Sequence, residues 1–216
     1  MEIAVFGAFD RYNYGDLLFP LILQAYLPAA QTQTNIAYYG LIEADHRDFG
    51  SVHARPFGLF FNACKNTDSK NVIIIAGGRV IGPNAALLYS FLKRDSLLNS
   101  VSSICRRLHL PDPADRIARS KLNITWGTSP FCPEKPNRHT LLIYNAVGGN
   151  PRNVPALLKY TKQADYLSVR NSVLYARLKA AADHPEVMLC PDSAAVMSRL
   201  WPKETLRKYM SEKAAD

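Results

Sequence analysis

Glycine, asparagine, arginine and aspartate cluster directly after short apolar runs, where they could hold an anion. The clusters are Asn13-Tyr14-Gly15-Asp16, Gly77-Gly78-Arg79, Gly148-Gly149-Asn150, Arg170-Asn171-Ser172 and a single Asp192 after Pro191. Glycine permits positive φ and close backbone approach, and a following helix N-terminus offers N–H donors to negative charge. Arg170 is the most informative of these residues, because its planar fork suits paired hydrogen bonds to phosphate or carboxylate. Each cluster also has a plainer reading. Tight turns need Gly and Asn whatever the function. Arg170 could be tied to Asp192 in a structural ion pair, Asp16 could cap a helix, and Asp192 could form a turn or a cap. Five such clusters on one rim nevertheless predict a shared anion-binding cleft.

Other chemistry finds little support. The first turn reads Gly7-Ala8-Phe9, so the G-x-G-x-x-G dinucleotide fingerprint is missing. Gly77 and Gly82 have P-loop spacing, but Pro83-Asn84 stand where Lys and Ser/Thr must reach phosphate and magnesium. His46, His53, His109, His139 and His184 have no metal-ligand spacing and adjoin no nucleophile motif. No metal site and no cofactor is therefore expected, and no catalytic side chain is assigned. There is no G-x-S-x-G, which leaves serine-hydrolase chemistry without a basis. Asn123-Ile124-Thr125 fits the glycosylation pattern but sits in an apolar stretch and is discounted. Arg106, Arg107, Arg116, Arg119 and Lys121 form a loose basic patch without interleaved aromatics. It reads as a solvated face, and nucleic acid is not an expected partner.

The elements that would position these clusters alternate along the chain. Strands are predicted at Ile3–Phe9, Asn35–Leu41, Val72–Ala76, Leu141–Val147, Tyr166–Val169 and Val187–Cys190, with a short one near Ser51–Arg55. Helices are predicted at Leu17–Leu27, Ala85–Leu98, Val101–Leu108, Val154–Ala164, Ser172–Ala182 and from Ser193 to about Met210. Pro20 is expected in the first turn of its helix, where a missing N–H costs least. Alternation of this kind predicts a parallel sheet covered on both faces, with ligands beyond the carboxyl ends of the strands. Residues 1–192 are expected to form one Rossmann-like domain. Pro130, Pro133 and Pro136 mark 127–138 as the expected hinge.

Composition sets the outer limits. The chain has 216 residues, 48% apolar and 20% charged, which excludes a disordered or fibrous protein. Its net charge of +8 lies entirely in residues 101–216, and suggests an anionic small molecule, a lipid surface or nucleic acid. Cys64, Cys105, Cys132 and Cys190 are widely spaced, which suits a reducing compartment. With no signal-peptide pattern and no long apolar run, the expected location is cytoplasmic.

The order of these clusters resembles the polysaccharide pyruvyl transferase family. The resemblance rests on Asn13-Tyr14-Gly15-Asp16 opening a helix and Val72-Ile-Ile-Ile-Ala-Gly-Gly78. It continues with Asn145-Ala-Val-Gly-Gly149, Ser168-Val169-Arg170-Asn171-Ser172 and Pro191-Asp192. Together these span residues 3 to about 200. It implies the N-terminal half of a glycosyltransferase-B-like architecture, in which residues 193–216 begin a link to a second domain. It also implies transfer of pyruvate from phosphoenolpyruvate to two hydroxyls of a cell-surface polysaccharide or lipid-linked sugar, as a ketal.

In that reading Arg170 contacts the donor and the Asn13–Asp16 turn borders the acceptor. The family's general-acid histidine and a second donor-binding arginine are expected beyond residue 216, so this chain alone could be inactive. Two departures stand inside the motifs, Arg79 in place of a glycine and Asn171 where an acidic residue is common. A peripheral position at the inner membrane face and self-association are further expectations. The alternative is a non-catalytic module that binds an anionic sugar-phosphate or a partner protein.

Overall fold

The computed structural model describes residues 1–26, 35–94, 96–127, 129–150, 157–158, 161–181 and 186–213, the last five as backbone. The described strands are β1 (Glu2–Phe6), β2 (Asn35–Gly40), β3 (Ala44–Asp45), β4 (His53–Pro56) and β5 (Asn71–Ala76), then β6 (Thr140–Val147), β7 (Tyr166–Val169) and β8 (Val187–Leu189). The helices are α1 (Tyr14–Tyr26), α2 (Phe57–Lys65), α3 (Ala85–Lys93), α4 (Leu97–Arg107) and α5 (Pro113–Lys121), followed by α6 (Ser172–Lys179), α7 (Met197–Leu200) and α8 (Lys203–Lys213). Two 3₁₀ turns occupy Arg47–Phe49 and Ser193–Val196.

All described strands join one sheet in the order β3-β4-β2-β1-β5-β6-β7-β8. Every pairing is parallel except β3 with β4, so the fold is α/β and Rossmann-like. From β1 the chain first moves outward to β2 and β4, then returns to place β5 on the other side of β1. This reversal opens a crevice between the β1 and β5 loops, the usual ligand position in such sheets.

Alternate strand residues divide the core into two faces. Ile3, Val5 and Ile74 pack on Phe19 of α1, whereas Ala4, Phe6, Ile73, Ile75, Leu142 and Tyr144 face α2, α3, α5 and α6. Right-handed crossovers require this split, because strand order progresses in opposite directions before and after the switch. Phe6 and Phe57 stack with ring centroids 3.9 Å apart, and Trp126 closes over Phe57 at 5.2 Å.

Of the proline-rich stretch 127–138, residues 129–138 pack into this core. Phe131 and Cys132 are buried, Trp126 Nε1 donates to the Pro130 carbonyl, and the Tyr144 hydroxyl donates to the Pro133 carbonyl, both at 2.9 Å. Asn137 Nδ2 donates across to the carbonyls of Cys64 and Thr67. The strands on either side of it, β5 and β6, pair directly.

Several predicted boundaries move. The first strand stops at Phe6, and α1 starts at Tyr14, which places Pro20 inside the helix rather than in its first turn. The break between α3 and α4 falls at Arg94, which adopts a left-handed φ of 54°. Helices α2 and α5 were not anticipated, the first because Phe57–Lys65 offers no cap signal beyond Pro56, the second because its apolar face is mostly alanine. The predicted terminal helix divides at Trp201-Pro202, since Pro202 cannot continue the hydrogen-bond ladder. Five of the eleven residues of the helix expected at 154–164 lie outside the described residues; of the other six, 157, 158 and 161 are helical. Among the described residues no helix is long and apolar enough to cross a membrane.

Candidate functional site

The rim clusters surround one open cleft of about 930 Å³ at the carboxyl ends of β1 and β5. Its floor and walls come from the β1–α1 loop, the segment 79–84, helices α3 and α4, and the ends of β6, β7 and β8. A smaller recess of about 290 Å³ adjoins it between Arg79, Gly148, Gly149, Asn150, Arg170 and Asn171.

The β1–α1 loop is anchored from beneath. Buried Asp10 accepts the Leu41 N–H at 2.6 Å and bonds Arg11 Nε at 2.9 Å. This hold presents the Arg11 guanidinium to the cleft, 5.8 Å from the centre of the Phe131 ring. Asn13, not Asp16, satisfies the start of α1. Its Oδ1 accepts the Gly15 N–H at 3.2 Å and its carbonyl accepts the Leu17 N–H at 3.0 Å. Asn13 Nδ2 then donates to Asp16 Oδ2 at 2.9 Å, so Asp16 sits in the first turn with its carboxylate on the cleft. Burial pushes the Asp16 carboxyl above the ordinary carboxylate range. Arg11, the Asn13 hydrogen bond and Arg170 pull it back only in part.

The second wall depends on glycine at two close approaches. Gly78 has a φ of 72°, and a Cβ there would lie 2.8 Å from Asp16 Oδ1. At Gly148 a Cβ would lie 2.7 Å from Arg170 Nε, so only glycine lets the arginine cross the end of β6. The Gly148 N–H donates to the Gly78 carbonyl at 2.9 Å, and Ile81 N donates back to the Gly148 carbonyl at 3.0 Å, locking the two loops together. A bulge in β6 between Tyr144 and Val147 sets this turn. Ser168, fully buried on β7, supports it by accepting the Ala146 N–H at 2.8 Å and donating to the Tyr144 carbonyl at 3.3 Å.

Arg170 forms an ion pair with Asp192, the plainer of the two sequence readings, yet both side chains keep part of their surface on the cleft. Asp192 also accepts the Ala194 N–H at 3.0 Å, which opens the 3₁₀ turn. Arg79 is exposed and forms no ion pair among the described residues. Arg106 reaches the cleft from α4, with Nε on the Ser102 carbonyl at 3.3 Å. Four guanidinium groups thus converge on one space that also holds the carboxylates of Asp16 and Asp192. Such a cleft can bind a compact dianion bidentately while leaving a protonatable carboxyl beside it.

Of the residues predicted from sequence, Asn13, Gly15, Asp16, Arg79, Asn150, Arg170 and Asp192 line the main cleft. Gly148, Gly149 and Asn171 line only the recess. Gly77 and Gly78 are buried in the turn behind the wall, and Tyr14 and Ser172 are exposed and line neither space. Asn171 caps α6 by accepting the Leu174 N–H at 3.0 Å, and Asn150 accepts from Arg177 at 3.0 Å. Sequence reasoning missed Arg11, Tyr12, Phe91 and the role of Arg106. Arg11 stands next to the Asn-x-Gly-Asp turn and could have been noticed there. Arg106 carries no local signal, because only the packing of α4 brings it to the cleft.

Exposed aromatics border the mouth on one side. Tyr12 packs edge-on against Phe49 at 4.8 Å, and its hydroxyl donates to that of Tyr14 at 2.8 Å. Comparison with protein-family models, curated proteins and solved structures returned no match to this chain.

Proposed function

We propose that the chain is the N-terminal half of a pyruvyl transferase-like protein of glycosyltransferase-B-like architecture. It would use phosphoenolpyruvate as donor and a cell-surface polysaccharide or lipid-linked sugar as acceptor. The observation that carries this reading is the convergence of Arg11, Arg79, Arg106 and Arg170 on the cleft at the sheet's switch point. Phosphoenolpyruvate carries a carboxylate and a phosphate within one small molecule, and needs cationic forks on more than one side. The recess between Arg79 and Arg170, floored by the Gly148-Gly149 backbone, suits one of its anionic groups. Tyr12, Tyr14 and Phe49 offer apolar faces on which a sugar ring could lie at the mouth.

The reaction adds a proton to the enol carbon, forms two C–O bonds from the acceptor hydroxyls to the adjacent carbon, and breaks its bond to the phosphate oxygen. Of the two protons the hydroxyls lose, one balances the proton gained by the carbon and the other leaves with phosphate. Inorganic phosphate leaves, and no oxidant is needed. Arginines stabilise the departing phosphate and the carboxylate beside the oxocarbenium-like centre. Acceptor-dependent phosphate release from phosphoenolpyruvate tests the reading. It is expected to fall at least about 100-fold in Arg170→Ala, the scale of losing one transition-state donor.

A second reading, an anion-binding module without turnover, draws on the Arg170–Asp192 ion pair, which already occupies the key fork. Saturable donor binding with no phosphate release under any acceptor would favour it.

A further inference from the structure

Helix α4, with its C-cap Leu108, leaves four large apolar side chains outward. Leu97, Val101, Ile104 and Leu108 recur every three or four residues and form one stripe, and they are 74%, 44%, 57% and 62% exposed. The inward side of the same helix carries Leu98, which packs against the core, beside a buried polar residue. Ser102 is fully buried, accepts from Asn84 Nδ2 at 2.8 Å and donates to the Asp112 carboxylate. Asp112 caps α5 through the Asp115 N–H at 3.0 Å, and Asp115 takes the Ala86 N–H at 3.2 Å. This network joins α3, α4 and α5 and fixes the orientation that leaves the apolar stripe outward. Phe91, 68% exposed at the end of α3, and Leu110, 55% exposed, extend the apolar surface.

The segment that carries the stripe is predominantly positive. Residues 91–121 contain seven Lys and Arg against three Asp, and two of those three, Asp112 and Asp115, are engaged in the caps. Lys93, Arg94 and Arg107 are exposed on α4 or immediately before it, and Arg116 and Lys121 are exposed on α5. An apolar stripe flanked by cations complements acyl chains beneath a layer of lipid phosphates. A second copy of the chain would bring the same positive rim against itself. Helix α4 is far too short to span a bilayer and has the pattern of a helix that lies in its interface.

We propose that α4 docks the protein on the surface of a bilayer containing anionic phospholipid, with Val101, Ile104 and Leu108 inserted below the headgroups. Phe91 and Arg106 belong both to this region and to the cleft wall, so docking brings the cleft mouth near the lipid surface. The inference does not rest on the pyruvyl transfer reading.

Co-flotation of the full chain with vesicles tests it. Phosphatidylcholine vesicles containing phosphatidylglycerol are expected to carry the protein up the gradient, and phosphatidylcholine alone is not. Ile104→Ser, which adds no charge, should weaken binding roughly tenfold, the factor for one apolar side chain left in water. Arg107→Glu should weaken it further as salt is lowered. Both positions are exposed, and an unchanged thermal melt would verify the fold.

Failure of the wild-type chain to bind the mixed vesicles would overturn the proposal. So would binding indifferent to both Ile104→Ser and Val101→Ser, which would mark a purely electrostatic contact. A dimer in gel filtration that Ile104→Ser dissociates, without vesicle binding, would assign the stripe to self-association instead.

Discussion

Asp16 and Arg170 face the same cleft with opposite charge, and their surroundings treat them differently. Arg170 is held by Asp192, whereas Asp16 has one neutral hydrogen-bond donor, Asn13, and loses more by burial than the arginines return. The folded chain therefore binds the Asp16 proton more tightly than the unfolded chain does. Ionised Asp16 detracts from stability at neutral pH, and this penalty is relieved as pH falls through the raised value towards the ordinary carboxylate pKa. Asp16→Asn is accordingly expected to raise the melting temperature at neutral pH and to flatten its rise on mild acidification. Thermal melts of both proteins across the acid range check this; a lower melting temperature for the variant at neutral pH would contradict it. The same variant removes a negative charge from the cleft and should strengthen sulfate binding at neutral pH.

The elements explain which features the sequence disclosed. Buried parallel strands must be apolar on both faces, so Val72–Ala76 and Tyr166–Val169 were legible from composition alone. The rim loops were legible because Gly and Asn mark turns that other residues enter with strain. Helix α4 was legible as a helix but not in its orientation, since amphipathicity normally predicts the apolar side inward. The Asn84–Ser102–Asp112 network, built from three separate segments, turns the stripe outward instead. Arg106 therefore passed as part of a solvated patch. The β6 bulge was equally hidden. It depends on Ser168, and Ser168→Ala would leave the Ala146 N–H without its partner in a dry environment. The expected cost is about 1–3 kcal/mol in urea unfolding, with the slope unchanged. A cost indistinguishable from zero would mean that the bulge holds without the hydroxyl.

Across the whole molecule, one sheet runs from β3 to β8, and its strand order reverses where the cleft opens. The excess charge of the second half has two different destinations. Arg106 and Arg170 go to the cleft, while Arg107 on α4 and Arg116 and Lys121 on α5 remain exposed. A positive field over the mouth should speed capture of an anion and weaken as salt is added. The central claim is that the cleft holds a phosphorylated carboxylic acid through its arginines. Calorimetric titration of phosphoenolpyruvate into the full chain tests it most directly. A single saturable site is expected, weakened roughly tenfold or more in each of Arg79→Ala and Arg170→Ala, the loss of one charge-assisted contact. No measurable binding, or binding that both substitutions leave unchanged, would contradict it.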